Sequence, residues 1–358
     1  MPKMLAGNAY SLKNGLRGTI MTNEKSGKNT IHKTKALALF SGGLDSMLAV
    51  KLMLEQNIEI EAVNFMTLFC LCDRCSVDRF SKELGIKVHK IFLGQEFLDV
   101  VANPPHGYGS QMNPCIDCRI LMFKKAKELA EKIGAEFLVT GEVLDERPFS
   151  QRKKTMLLIE REAGLEGKIV RPLSAKLLPI SEPEKKGLVD REKLLDIKGR
   201  RRLPQIELAK RFGIKEYPNP SGGCLLTDPR FAQRLKEHLK YVGKLTLEDV
   251  TLLKIGRHFR IDGVKIIVGR NKEENMKLLM ISKSREFPYL EVVDFKGPIT
   301  LYIGEKREEV MKKAASITAR YSDAPKTLAV KVRYKDSGEE RIIVVTAIKD
   351  EELKRLMV

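Results

Sequence analysis

No apolar run in this chain of 358 residues approaches the roughly 18 to 20 residues that a helix needs to cross a bilayer. The N-terminal stretch "MPKMLAGNAYSLKNGLRGTIMTNEKSGKN" is polar and basic and lacks the apolar core of a secretory signal. These two absences predict a cytoplasmic protein with no membrane partner. Thiols stay reduced in that compartment, so the six cysteines point to metal or catalysis rather than disulfides. Acidic residues are in deficit, 47 against 65 Lys plus Arg, and the formal net charge is +18. Such an excess suits a polyanion, RNA or DNA before an anionic membrane, although a lysine-rich surface is also found in heat-adapted proteins. There is no internal repeat and no low-complexity tract. Hydrophobic residues make up 43%, enough for cores in two or three domains.

What is present is alternation. "ALALF" (36–40) reads as a buried strand and "DSMLAVKLMLEQ" as a helix with apolar positions three and four apart. Strands follow at 58–66 and 87–93 with a helix, "VDRFSKELG", between them. After the loop "NPPHGYGSQMNP" comes a long helix from Cys115 to Ile133, stopped by Gly134. Strands at 135–143 and 168–173 complete the run. This spacing predicts an α/β fold, a parallel sheet with helices on both faces, which binds ligands at the carboxyl ends of its strands. Ser41 to Ser46, the end of 58–66, and Thr140-Gly141-Glu142 all fall on that edge. The expected organisation is a basic leader (1–34), a nucleotide-binding domain (35–180), a basic segment with a second cysteine loop (181–229), and a C-terminal α+β domain (230–358).

"SGGLDS" (41–46) sits between the first strand and helix. Two glycines let the backbone turn and leave its N–H groups open to phosphate. Ser41 and Ser46 add hydroxyl donors, the helix N-terminus adds partial positive charge, and Asp45 can cap the helix or help hold Mg²⁺. The Gly-Lys-Ser/Thr ending of the common ATPase and GTPase loop is missing, which excludes that cradle.

Strand plus "SGGLDS" resembles the PP-loop ATP pyrophosphatases, which cleave ATP between the α and β phosphates and pass AMP to a substrate oxygen. "MNPCIDCRILMFKKAKELAEKIGAEFLVTGE" and "PSGGCLLTD" resemble the tRNA 2-thiouridylases, and Thr140-Gly141-Glu142 is closer to the tRNA 4-thiouridine synthetases. The likeness spans roughly residues 36 to 229. Aligned on Asn113-Pro114, Cys118 and Cys224 fall on the two active cysteines of those enzymes. Cys115 is additional. Cys-x-x-Cys with a distant third cysteine resembles the thiolation enzymes that hold a [4Fe–4S] cluster, here on Cys115, Cys118 and Cys224. Thiols at i and i+3 can face one way, and a helix N-terminus lowers a thiol pKa. Cluster-free persulfide chemistry and a zinc half-site remain the alternatives. Cys70, Cys72 and Cys75, in "FCLCDRC", suit a second metal such as Zn²⁺, a sulfur relay, the cluster itself in place of the other three, or plain packing.

The resemblance implies ATP-dependent tRNA uridine thiolation. Transfer of AMP to a uridine carbonyl oxygen makes that oxygen a leaving group, and sulfur then attacks the ring carbon. Ser41, Gly42, Gly43, Asp45 and Ser46 would hold the ATP phosphates with Mg²⁺, and Phe65, Met66 and Gly141 would line the nucleotide pocket. "KGRRRLPQ" offers Arg200, Arg201 and Arg202 to RNA. Arg119, Lys124 and Lys125 either meet phosphate or form a solvated face, and His106 reads as a solvated loop histidine. The partners implied are tRNA and a sulfur donor (sulfide, a persulfide protein or a carrier protein), with a homodimer left open. The tail resembles a small RNA-binding domain of ribosome-associated proteins. Two other readings stay open: an amide-forming ligase of the same loop family, and a non-catalytic RNA-binding protein.

Overall fold

The computed structural model describes residues 33–71, 74–217 and 223–358 and, at 74 and 75, the backbone alone. The leader expected at 1–34 therefore lies outside the described residues, apart from its last two.

The first half alternates as its periodicity predicts. β1 (Lys35–Leu39), α1 (Leu44–Leu54), β2 (Glu59–Met66), α2 (Arg74–Leu84) and β3 (Lys87–Phe92) come first. Then follow α3 (Gln95–Ala102), α4 (Cys115–Ile133), β4 (Phe137–Thr140), α5 (Lys153–Glu162) and β5 (Ile169–Val170). The long helix has its expected bounds because Gly134 adopts φ 70°, a left-handed stop that suits glycine. α3 and α5 are not foreseen from sequence: both are short and flanked by charged or turn residues. The strand expected over 168–173 shrinks to two residues, since Pro172 ends its ladder.

The five strands run parallel in the order β3-β2-β1-β4-β5. Alternate side chains feed two cores, as the pleat requires. Ala36, Ala38, Ile60 and Val139 pack with α1 on one face. Leu37, Val63 and Leu138 pack with Phe123 of α4 and Ile159 of α5 on the other. Helices thus cover both faces, as predicted.

α6 (Glu182–Lys185) and α7 (Leu203–Arg211) follow, then α8 (Pro229–Val242) and α9 (Leu247–Lys254). The sequence places 230 at the start of the C-terminal domain. However, Phe231, Leu235, Val250 and Leu253 of α8 and α9 share a buried cluster with Phe69, Phe97 and Leu98. A second sheet begins at β6 (Arg257–Ile261) and β7 (Val264–Val268). It continues with α10 (Lys272–Arg285), β8 (Tyr289–Val292), β9 (Thr300–Ile303), α11 (Glu308–Arg320), β10 (Val330–Asp336), β11 (Glu339–Val345) and α12 (Asp350–Leu356). Its six strands are antiparallel, in the order β11-β10-β8-β9-β7-β6. Val310, Ala314 and Ile317 of α11 fill one face and Leu278 of α10 the other. Among the described residues no helix is long and apolar enough to cross a membrane.

Candidate functional site

The Ser41–Ser46 loop leaves the carboxyl end of β1. Gly42 holds φ +74°, and a Cβ there would stand 3.0 Å from both Ser76 Oγ and Val77 Cγ2. Glycine is required for conformation and for space. Gly43 is the N-cap of α1 and makes no side-chain cap bond. Its N–H donates to Ser41 Oγ (3.3 Å), and Ser46 Oγ donates to Gly43 O (2.7 Å). The hydroxyls thus brace the turn around the open end of the helix.

Gly141 closes the cradle from β4. A Cβ on it would lie 2.5 Å from Asp45 C and 2.5 Å from Ser46 N. Backbone meets backbone at this point, and only hydrogen fits between. Phe65 and Met66 end β2 on the same rim, and Phe65 is half-buried between two apolar clusters.

Asp45 does not cap α1, because it is the second residue of the helix and the cap is Gly43. Its Oδ2 instead accepts from Arg202 Nη2 at 3.2 Å, and Arg202 Nε stands 4.0 Å from Glu146. Burial pushes the Asp45 carboxyl up despite the Arg202 charge. Asp45 Oδ1 is buried and makes no hydrogen bond. Arg202, expected to face RNA beside Arg200 and Arg201, therefore turns inward: the desolvated carboxylate needs a cation. Arg200 and Arg201 stay exposed.

The thiols meet on the same rim. Cys70, beyond β2, forms an isolated antiparallel bridge with Cys224. Leu71 N–H donates to Gly223 O (3.1 Å) and Leu225 N–H to Phe69 O (2.8 Å). These bonds flank the two cysteines, so they oppose each other as a non-hydrogen-bonded pair, with Cα atoms about 4.5 Å apart. Met112 N–H donates to Leu226 O at 3.1 Å, which ties the Cys224 segment to the approach of α4. There Cys115 and Cys118 occupy the first turn, and Cys118 and Cys224 join one apolar cluster.

Burial pushes the Cys118 thiol up to about 12 and the Cys224 thiol up to about 11, and it also raises Cys115. The lowering expected at a helix N-terminus is overridden by desolvation, which disfavours a bare thiolate. Among the described residues no three His, Cys, Asp or Glu side chains stand as a ready metal-holding group. Cys72 lies outside the described residues and Cys75 is described by its backbone alone.

Sequence reasoning missed two constellations. Glu142, buried beneath Gly141, accepts from Arg171 Nε at 3.0 Å, and Arg171 also reaches Glu160. Arg119 Nη1, one turn beyond Cys115, lies 3.5 Å from Glu142 Oε1. Burial opposes ionisation of Glu142, but Arg119 and Arg171 hold its carboxyl below the ordinary range. Arg119 is therefore a held cation beside the thiols, whereas Lys125 pairs with Glu96 and Glu128 and Lys124 is exposed. His106 is not a free loop side chain either. Its Nδ1 lies 2.7 Å from Asp117 Oδ1 and its Nε2 3.1 Å from Glu162 Oε1. Asp117 is buried between Cys115 and Cys118 in the sequence, so His106 pins the approach loop to the thiol-bearing turn. For Arg119 the available signal was its i, i+4 spacing from Cys115 on the helix; nothing local marks His106 or Glu142.

Comparison with known proteins finds likenesses over two stretches of the chain. Residues 31–176 match the family model for thiamine biosynthesis protein (ThiI). Residues 256–357 match the model for the NFACT protein RNA binding domain. The tRNA-specific 2-thiouridylase MnmA of Pseudomonas fluorescens (strain SBW25) is 22% identical over 345 residues, 88% of this chain and 86% of that protein. Two solved structures resemble parts of it more loosely. A 4-thiouridine synthetase–RNA complex with bound ATP has 20% identity and TM-score 0.32, over 62% of this chain and 52% of that one. The U34-tRNA thiolase NcsA from Methanococcus maripaludis with its [4Fe-4S] cluster has 16% identity and TM-score 0.30, over 62% and 69%.

Proposed function

We propose that this protein is an ATP-dependent tRNA uridine thiolase of the PP-loop type, acting in the cytoplasm with its C-terminal sheet as an RNA-binding domain. The observation that carries the reading is convergence on one rim. The Ser41–Ser46 cradle, closed by Gly141, and the thiols Cys115, Cys118 and Cys224 stand at the carboxyl edge of one parallel sheet. A phosphate loop alone would serve an amide-forming ligase equally well, but that chemistry leaves three half-buried thiols and the basic excess without a task. The ThiI-type match over the loop and the MnmA likeness support the same choice.

ATP lies with its phosphates against the open N–H groups of Gly42, Gly43 and the first turn of α1. Ser41 and Ser46 supply hydroxyls there, and Asp45 would help hold a Mg²⁺ ion, which would neutralise phosphate charge. Phe65, Met66 and Gly141 line the nucleotide side. A uridine carbonyl oxygen attacks the α-phosphorus and pyrophosphate leaves. Reduced sulfur from a donor then attacks the ring carbon. The C–S bond forms as the C–O bond breaks, and the electron pair of that bond departs with AMP.

The sulfur ligands of a [4Fe–4S] cluster would be Cys115, Cys118 and Cys224. The donor set fits in kind: three half-buried thiols, whose protons a metal would displace on binding. When bound, such a cluster would present sulfide to the activated base. Cys70, exposed and opposite Cys224, would pass sulfur inward. Arg200 and Arg201 face RNA.

Two measurements test this reading. Unmodified tRNA should stimulate pyrophosphate release from ATP and yield thiolated uridine by mass spectrometry, and small amines should not. A preparation that releases pyrophosphate only to an amine would sink the thiolase. Anaerobic protein should carry about four irons and matching sulfide, lost in Cys115→Ala, Cys118→Ala and Cys224→Ala but kept in Cys70→Ala. Iron-free anaerobic protein with full thiolation would replace the cluster by a persulfide on Cys224 or Cys118.

A further inference from the structure

A cavity of about 620 Å³ opens beside the cradle, lined by Asp145, Arg152, Lys153, Lys154, Thr155 and Arg200. Four of these side chains are cations, and among the described residues none of the four enters an ion pair or a side-chain hydrogen bond. By contrast, the more buried arginines nearby, Arg202, Arg119, Arg171 and Arg191, are engaged by carboxylates. The only acid in the lining is Asp145.

Two chain segments converge to build the wall. Leu144 and Lys198 form a parallel bridge, and Gly199 N–H donates to Leu144 O at 2.7 Å. These contacts fix Arg200 across from the β4–α5 loop. The loop itself is braced from within: Gln151, buried, accepts from Arg147 N–H at 3.0 Å, and its own N–H donates to Arg147 O at 2.9 Å. Basic side chains therefore crowd a surface whose backbone is held still. α5 begins there with no acidic residue in its first turn and no side-chain cap. Its helix dipole and its lysines carry the same sign, which is unfavourable until an anion enters.

We propose that this cavity grips the sugar-phosphate backbone of the RNA substrate, with Arg152, Lys153 and Arg200 on successive phosphates. The proposal rests on the thiolase reading and deepens it. Arg202 is two residues from Arg200 and is bonded to Asp45, so RNA held here stands next to the ATP cradle. A small phosphate would need one or two of these cations, whereas four on a wide, open wall suit a polymer.

The test is the salt dependence of tRNA binding by the full chain, using an unmodified transcript and fluorescence anisotropy. Wild type is compared with the Arg152→Ala, Lys153→Ala, Arg200→Ala triple variant. The control is Lys82→Ala, Lys132→Ala, Lys186→Ala, which removes equal charge from other exposed positions. Loss of three phosphate contacts lowers the log–log salt slope by about two to three and weakens binding roughly uniformly across tRNA sequences. The control leaves the slope near that of wild type, and ATP affinity is unchanged in both. Lys153→Glu, a single exposed change, should reproduce the direction if the triple variant melts early. Equal slopes for the triple variant and the control overturn the proposal. So does lost ATP affinity with an intact tRNA slope, which would give the cavity to nucleotide phosphates. Wild type that binds ATP but no tRNA at any salt removes the thiolase reading first, and this site with it.

Discussion

Arg202 and Asp45 stand 157 positions apart in the chain, yet Arg202 Nη2 lies 3.2 Å from Asp45 Oδ2. The pair links the basic "GRRR" segment to the first turn of α1 and fixes a cradle residue from outside. Because both side chains are largely buried, removing the cation strands the carboxylate. Arg202→Ala should cost about 2 kcal/mol in urea unfolding and lower tRNA-dependent pyrophosphate release by about tenfold or more. Adding Asp45→Asn should return much of the stability, since it removes the stranded charge. A single variant with wild-type unfolding and turnover would show the pair to be idle.

Gly141 and Ser46 are a steric pair. With a Cβ at Gly141 only 2.5 Å from Ser46 N, either β4 or the cradle must move. Gly141→Ala should lose about 1 to 3 kcal/mol and most ATP turnover. Gly43→Ala is the contrast: its Cβ would meet only Ser41 Oγ, at 3.3 Å, and its φ is −83°. That variant should melt within about 0.5 kcal/mol of wild type. Equal effects at the two positions would contradict the packing argument.

His106 carries a pH signature. Asp117 chiefly, and Glu162 beside it, hold its pKa above the ordinary histidine value. The stabilisation is therefore complete below the unfolded-state pKa of about 6.5. It fades as pH rises through the higher folded-state value. Melting temperatures of wild type and His106→Gln should differ most near pH 6 or below and converge in alkaline buffer. A difference that grows with pH would reverse the sign and refute the ion pair.

The packing of α8 and α9 predicts where the chain can be cut. A chain ending at 255 keeps Phe231, Leu235, Val250 and Leu253 on Phe69 and Phe97. A chain ending at 229 uncovers that cluster. The longer fragment should be monomeric and melt cooperatively, and the shorter should aggregate or bind a hydrophobic dye. Comparable behaviour of the two would restore the boundary read from sequence.

Much of the first domain is legible before folding. Strand and helix periods, Gly134 and the two loop glycines all act over a few residues, so a local pattern suffices to place β1, α1 and α4. α3 and α5, only eight and ten residues long, are too short to show a clear period, and their existence depends on what they pack against. The site is harder. Cys115 and Cys118 advertise themselves by spacing, but nothing near Cys224 tells that it will face Cys70. His106 and Glu142 look like ordinary loop and strand-end residues.

By itself the sequence determined the parallel α/β order, the cradle and the suspect thiols, because each is written in neighbouring residues. Tertiary structure decided which charges are spent and which remain. It turned Arg202 inward to Asp45, set Arg119 on Glu142, raised the thiols of Cys118 and Cys224 by burial, and left the cations around Arg200 unpaired. Those outcomes depend on desolvation and on partners distant in the chain, 157 positions away for Asp45 and Arg202, and neither is encoded in a local pattern.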